Sequence, residues 1–221
     1  MRVLRRSLVI ALASLASAGP AWAEPVTVDR AVVRFYAPET GGVDRPRFIF
    51  ERFLAFEARL EALADQQRGS EAYRERHVSA ALERHVSEVL LSSLRIEPEP
   101  TEAAMTRQVE LARKLLADRV GGEAALKEAQ RAEAISNAEV SSLLRRQARA
   151  SLYLDRMVAP MLRPSDAELE AIQRSAPLAL QNEPFARVRP VLLRWYVSRR
   201  LGAAMSSFFQ EARSRVTITL L

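Results

Sequence analysis

The chain ends in Val216-Thr217-Ile218-Thr219-Leu220, a strict alternation that places its apolar side chains on one face of an extended strand. A strand this short is unstable in water unless it pairs with another. Most of the preceding sequence has helical periodicity. The other strand candidates lie near the opposite end: the β-branched and aromatic stretch from Val26 to Tyr36, and Arg47-Phe48-Ile49-Phe50 after the turn residues Pro38 to Gly42. The two ends of the chain must therefore meet. The pattern predicts a mainly α protein, about six to seven helices closed by a small antiparallel sheet of N- and C-terminal strands.

The helical stretches are punctuated by caps and breakers. Phe53, Leu54, Phe56, Leu60 and Leu63 repeat at three-to-four spacing from Glu51 to Gly69, and Val78, Leu82, Val86, Val89, Leu90 and Leu94 do the same from Ser70 to Leu94. Pro98 and Pro100 end that run. Thr101 caps a third helix carrying Met105, Val109, Ala112, Leu115 and Leu116, which Gly121-Gly122 stops, and a short helix follows from Glu123 to Ala132. Ser136 with Glu139 and Ser165 with Glu168 are capping boxes. The first opens a long helix reaching Val158, and the second a short helix through Ile172. Residues 176–183 lack periodicity and read as a loop. A final helix from Phe185 to Ser214 presents Val188, Val191, Leu192, Trp195, Leu201 and Met205 for burial, with Pro190 starting its regular part or bending it. Composition agrees, because only 7 of the 221 residues are Gly and Ala, Leu, Arg and Glu dominate.

Residues 1–23 form a separate unit. Arg2, Arg5 and Arg6 precede an apolar run from Ser7 to Ala18, Gly19-Pro20 breaks it, and Ala21-Trp22-Ala23 offers small residues for cleavage. This pattern predicts a secretory signal cut after Ala23. The run is about 12 residues, short of the roughly 20 that span a bilayer, so no stable membrane insertion is expected. Residues 24–221 then form a single domain, with strands over 24–50, helices over 51–175, the last helix over 185–214 and a terminal strand over 216–221. Removing three arginines with the signal leaves 30 basic against 27 acidic side chains, a net of +3. The high pI reflects arginine in place of lysine, only Lys114 and Lys127 being lysines, and gives no reason to expect nucleic acid.

The succession of strand, turn, strand, helix, Leu90-Leu91-Ser92-Ser93-Leu94, a Pro-rich break, a helix ending at Gly121-Gly122, and the box Ser136 to Glu139 opening an Arg-rich helix resembles the N-terminal chaperone domain of the SurA family of periplasmic folding factors. The box Ser165 to Glu168 is similar to that family's exit from its long helix. Phe185 through Arg213 and the Val216-Thr217-Ile218 strand resemble its C-terminal helix and final strand. The resemblance implies a periplasmic location and unfolded or extended polypeptide clients, outer-membrane precursors among them. Family members usually carry parvulin-type prolyl isomerase domains of on the order of a hundred residues before the last helix. Here the interval from Ser175 to Pro184 leaves no room for one.

Catalytic, cofactor-binding and metal-binding residues are not expected. Cysteine is absent, and the only histidines are His77 and His85. Their spacing puts them about 80° apart around a helix and roughly 12 Å along it, poor geometry for one metal ion and better suited to a solvated helix edge. Neither Gly-Gly pair has a phosphate-loop context. Carboxylates alternate with arginines, as in Glu57-Ala58-Arg59 and Glu83-Arg84, a pattern of helix-surface ion pairing. Arg145, Arg146, Arg149 and Arg156 read as another solvated face, or as an attraction for anionic partners.

The sequence-based expectation is a non-enzymatic holdase with an apolar groove between the helices and the terminal sheet. The candidate peptide-binding residues are Phe48, Phe50, Phe53, Phe56, Tyr153, Met157, Trp195 and Tyr196. Aromatic density singles out the phenylalanines, although such clusters are more often core. Trp195 and Tyr196 differ by about 100° around a helix, so one points inward and the other sits at the rim. The alternative is an adaptor docking a dedicated periplasmic partner, such as a separate prolyl isomerase. Terminal strands paired across a long intervening chain would also permit a strand-swapped homodimer.

Overall fold

The computed structural model describes residues 29–67 and 69–221. The signal-segment reading of residues 1–23 and the first residues of the expected N-terminal strand lie outside them. Strand β1 (Ala31–Tyr36) pairs antiparallel with β2 (Arg47–Phe50) on one side and with β3 (Thr217–Leu220) on the other, giving the order β2-β1-β3. Two 3-10 turns at Pro38–Thr40 and Gly42–Asp44 make the β1–β2 connection, where Gly41 adopts φ 104°, a region that favours glycine. The chain is mainly helical, and its two ends close it as a small sheet.

Helix α1 (Glu51–Ala64) follows β2 directly and has no cap from its own N-cap residue, Phe50. Two of the free N–H groups of its first turn are satisfied from a distance: Arg30 O accepts from Glu51 N–H (2.8 Å), and Asp29 Oδ1 accepts from Arg52 N–H (3.3 Å). Helix α2 (Glu75–Ser93) starts five residues later than the periodicity predicts. There the His77 ring accepts the Arg74 N–H at 3.0 Å, a local cap that competes with an earlier start. Helix α3 (Glu102–Val120) begins at Thr101, whose Oγ1 accepts from Ala104 N–H, and stops at Gly121 in the left-handed conformation, as predicted.

Helices α4 (Glu123–Ala132) and α5 (Asn137–Tyr153) follow, the latter opened by the Ser136/Glu139 box. The long helix predicted to reach Val158 leaves α geometry earlier. A π turn over Leu154–Val158 and a 3-10 turn over Ala159–Leu162 replace its end, where Pro160 has no N–H and its ring would crowd the carbonyl four residues back. Helix α6 (Asp166–Ser175) carries the second box. The expected loop over 176–183 contains one helical turn, α7 (Leu178–Gln181). Gln173 and Gln181 amides hold that segment by donating to carbonyls of Leu180, Glu183, Arg174 and Ala176. Helix α8 (Phe185–Arg215) continues through Pro190 and leads straight into β3.

The core comes in connected clusters. Val33, Phe35 and Ile49 from the sheet pack on Leu54 and Ala58 of α1 and on Ala81, Val86 and Leu90 of α2. Phe56 and Leu60 meet Leu116, Val120, Leu126, Leu143 and Leu144 on the other side of α1. Leu169 of α6 packs with Val188 and Leu192 of α8, while Phe208, near the far end of that helix, packs against the sheet cluster. A helix of 31 residues is about 46 Å long, enough to bridge these regions.

Phe56 is fully buried, so truncating it to Ala is expected to cost about 3–5 kcal/mol in a urea titration. Ser136→Ala removes one cap and should cost about 1 kcal/mol. A Phe56→Ala loss no larger than that of Ser136→Ala would contradict the packing described.

Candidate functional site

The packing of α2, α3 and α5 leaves a groove of about 960 Å³, bordered on its remaining side by Gln210 of α8 and by Val216 and Ile218. Its apolar wall comes from Leu82, Val86 and Leu90 of α2, one stripe at four-residue spacing, from Ala112, Leu115 and Leu116 of α3, and from Ala150 and Leu154. Leu115 was expected to be buried yet is 58% exposed. Leu115 and Leu116 differ by about 100° around α3, so when Leu116 enters the core Leu115 turns toward the groove. Val191 and Trp195, expected to be buried on α8, are likewise exposed.

Polar side chains run through this apolar lining. Gln108 Nε2 donates to Ser151 Oγ at 3.1 Å, and Gln147 Nε2 to Glu88 Oε1 at 3.1 Å. Arg84 and Arg119 converge on Glu61, at 2.6 and 3.1 Å, at the α1 side. The groove can therefore bury apolar side chains and also offers amide and hydroxyl groups to a polar backbone.

Beneath it lies a buried polar cluster. His85 Nδ1 is 2.7 Å from Glu57 Oε2, Arg146 Nη2 bonds Glu57 Oε1, and Arg146 Nε is 3.1 Å from Glu88 Oε2. The guanidinium also stacks over Phe53, 5.7 Å from the ring centre, and Phe53 and Phe35 each meet the His85 ring in a T-shaped arrangement. Loss of water around Glu88 raises its pKa, opposed by Arg146 and reinforced by the neighbouring Glu57 charge.

This corrects three expectations. His77 and His85 are buried rather than solvated, each against a carboxylate, Asp65 (3.0 Å) and Glu57 respectively. Glu57 is 5% exposed, not a surface pair with Arg59. Its position explains this, since it lies four residues after Phe53 and three before Leu60 on the apolar face of α1. The arginines of α5 and of the π turn after it are not a free basic face: Arg146 is internal, Arg145 pairs with Glu102 at 3.0 Å, Arg149 binds Ser92 O and Glu99, and Arg156, in the π turn, donates to Pro98 O. They tie α5 to α2, α3 and the connection between them.

None of the eight candidate aromatic and methionine positions lines the groove. Phe56 is sealed in the core, and Phe53 is half-buried against Phe56 and His85. Phe48 and Phe50 are exposed on β2. Tyr153 packs on the Ile96 and Met105 cluster, and Met157 is half-buried in the π turn. Trp195 is exposed beneath Arg199, whereas Tyr196 packs on the Leu169 cluster, so one ring turns outward and its neighbour inward. The groove is built from aliphatic side chains that periodicity alone assigns to core. Their one legible signal is Leu115, an apolar side chain left over once α3 has filled the core.

Among the described residues no cluster of His, Asp and Glu could hold a metal ion, and no helix is long and apolar enough to cross a membrane. Arg146→Met leaves Glu57 and Glu88 buried without their cation and is expected to cost about 3–5 kcal/mol in urea. A double-mutant cycle with Glu57→Gln should give a coupling of at least about 1 kcal/mol, and additivity would refute the cluster.

Acid should weaken the fold through other carboxylates. Hydrogen bonds from the Ser165 N–H and hydroxyl hold Glu168 below the ordinary glutamate range, and hydrogen bonding to His77 and Gln67 holds Asp65 below the aspartate range. Burial raises Glu139, but its Ser136 hydrogen bonds and Arg52 outweigh it and leave that pKa lowered as well. Groups with depressed folded pKa contribute stability above their unfolded values of about 3.9–4.3 and lose it as pH falls through the folded ones. The urea midpoint should drop below about pH 4, and Glu168→Gln should flatten that dependence. No family model, curated protein or solved structure matches the chain.

Proposed function

We propose that this protein is a non-enzymatic periplasmic holdase that takes extended apolar segments of unfolded exported proteins, outer-membrane precursors among them, into the groove between α2, α3, α5 and the C-terminal strand. One observation carries the reading: an aliphatic trough of about 960 Å³ remains open beside a strand whose inward side chains are uncovered, Ile218 at 41% and Leu220 at 75% exposure. An open apolar surface of this kind favours polypeptide ligands. The export-signal pattern of residues 1–23 and the likeness of the capped helices and terminal strands to SurA chaperone domains support the same reading.

Burial of apolar client surface contributes roughly 25 cal/mol per Å², partly offset by ordering the client, so capture is weak and exchangeable. That suits a carrier that must release its cargo.

The full chain at an equimolar ratio should slow aggregation of an unfolded outer-membrane barrel protein, followed by light scattering. Leu115→Asp should lose most of this effect with little change in thermal stability, because the side chain already faces water. Phe48→Ser, on β2 outside the groove lining, should retain it. No delay of aggregation by the unaltered chain, or one saturable partner without affinity for unfolded polypeptide, would replace this reading with that of a dedicated adaptor. Protein recovered from the periplasmic fraction should begin at Glu24.

A further inference from the structure

Among the described residues strand β3 is an edge of the sheet, with β1 on one side only. Leu221 N–H donates to Val32 O at 3.0 Å, and these residues continue the register Val33↔Leu220, Arg34↔Thr219, Phe35↔Ile218. In an antiparallel ladder, hydrogen-bonded pairs alternate with non-bonded ones. Thr217 and Thr219 therefore turn their peptide groups toward β1, while Ile218 and Leu220 turn N–H and C=O outward. No described residue bonds to those outward groups.

Side chain and backbone are in phase here. Directly opposite residues share a face, so Ile218 and Leu220 project on the side of Phe35 and Val33, and Ile218 lines the groove. The edge is also unguarded. Residues 216–221 contain no charged side chain and no proline, whereas β2, at the other edge, is entered through Arg45-Pro46-Arg47. On the opposite face Arg34 stands against Thr219, exposed and without an ion pair to any described residue.

We propose that the outer edge of β3 takes up, antiparallel, a client segment whose alternate residues are apolar and whose intervening residues include an acidic one. This rests on the holdase reading and specifies the form of the client. A client residue opposite Ile218 or Leu220 exchanges both peptide hydrogen bonds with β3 and sends its side chain over the groove. The residue between them, opposite Thr219, lies on the Arg34 face. Two strand spacings put it about 10 Å from Arg34, within the combined reach of an arginine and a glutamate. Main-chain pairing supplies register and alternation supplies selectivity.

The test is binding of the full chain to labelled heptapeptides alternating Leu or Val with Thr, with Glu at the central polar position, followed by fluorescence anisotropy. N-methylating the amides of the apolar residues should weaken binding about tenfold or more, whereas methylating the intervening polar residues should change it by less than about twofold. Glu replaced by Lys should bind several-fold more weakly, a difference that Arg34→Ala abolishes. Ile218→Pro, which removes an outward N–H and leaves the ladder to β1 intact, should lose binding while remaining folded.

Equal effects of the two methylation patterns, or no peptide binding at all, overturn the edge proposal. An aggregation assay on the same preparation separates the two ideas. Retained suppression of aggregation with no methylation pattern sinks the edge and leaves the holdase, while the expected pattern without suppression keeps the edge and sinks the holdase.

Discussion

The pairing of β3 with β1 is the contact on which the rest of the architecture depends. It joins residues separated by almost the whole described chain, Val33 with Leu220 and Tyr36 with Thr217. Closing so long a loop costs entropy that no single strand could offset, and the return comes from completing the sheet cluster of Val33, Phe35 and Ile49 against α1 and α2. The same pairing anchors the end of α8 and brings Gln210, Val216 and Ile218 to the rim of the groove. Without it the trough would lack one wall, and the apolar face of the sheet would lie open over Phe35.

Ionic contacts hold the helices in register. Arg146 reaches from α5 to Glu57 on α1 and Glu88 on α2, so one guanidinium joins three helices at the point where their apolar seams diverge. Arg52 plays a similar part near the N-terminus, joining Asp29, Glu139 and the Ala134 carbonyl. A buried ion pair is a weak source of net stability, but a packing that separated its partners would strand a charge at a cost of about 3–5 kcal/mol. This bracing seats α2 and α3 on either side of α5, and the space left between them is the groove.

Much of the helical layout was legible because its signals are local. The cap at Thr101, the boxes at Ser136 and Ser165, the Gly121 stop and the alternation of the last strand each depend on neighbours within a few residues, and each stands where the sequence places it. The groove was legible only as an expected place between helices and sheet. Its lining escaped because Leu82 and Leu115 look the same in sequence whether another helix covers them or water does. Aromatic density drew attention to Phe53 and Phe56, which the core absorbs, since large rings are the first side chains a core takes up.

The sequence by itself determined the helical class, the punctuation of the helices and the need for the ends to meet, because these follow from backbone propensity and from the instability of a lone strand. Tertiary structure alone decided which charges go inside. Glu57, His85 and Arg146 lie far apart in the chain, and although Glu57 sits on the apolar face of α1, nothing in the local sequence of any of the three marks the others as its partners. Only the approach of α1, α2 and α5 removes their water and makes partners of them, while Leu115 and Ile218, bordering the groove, stay in contact with water.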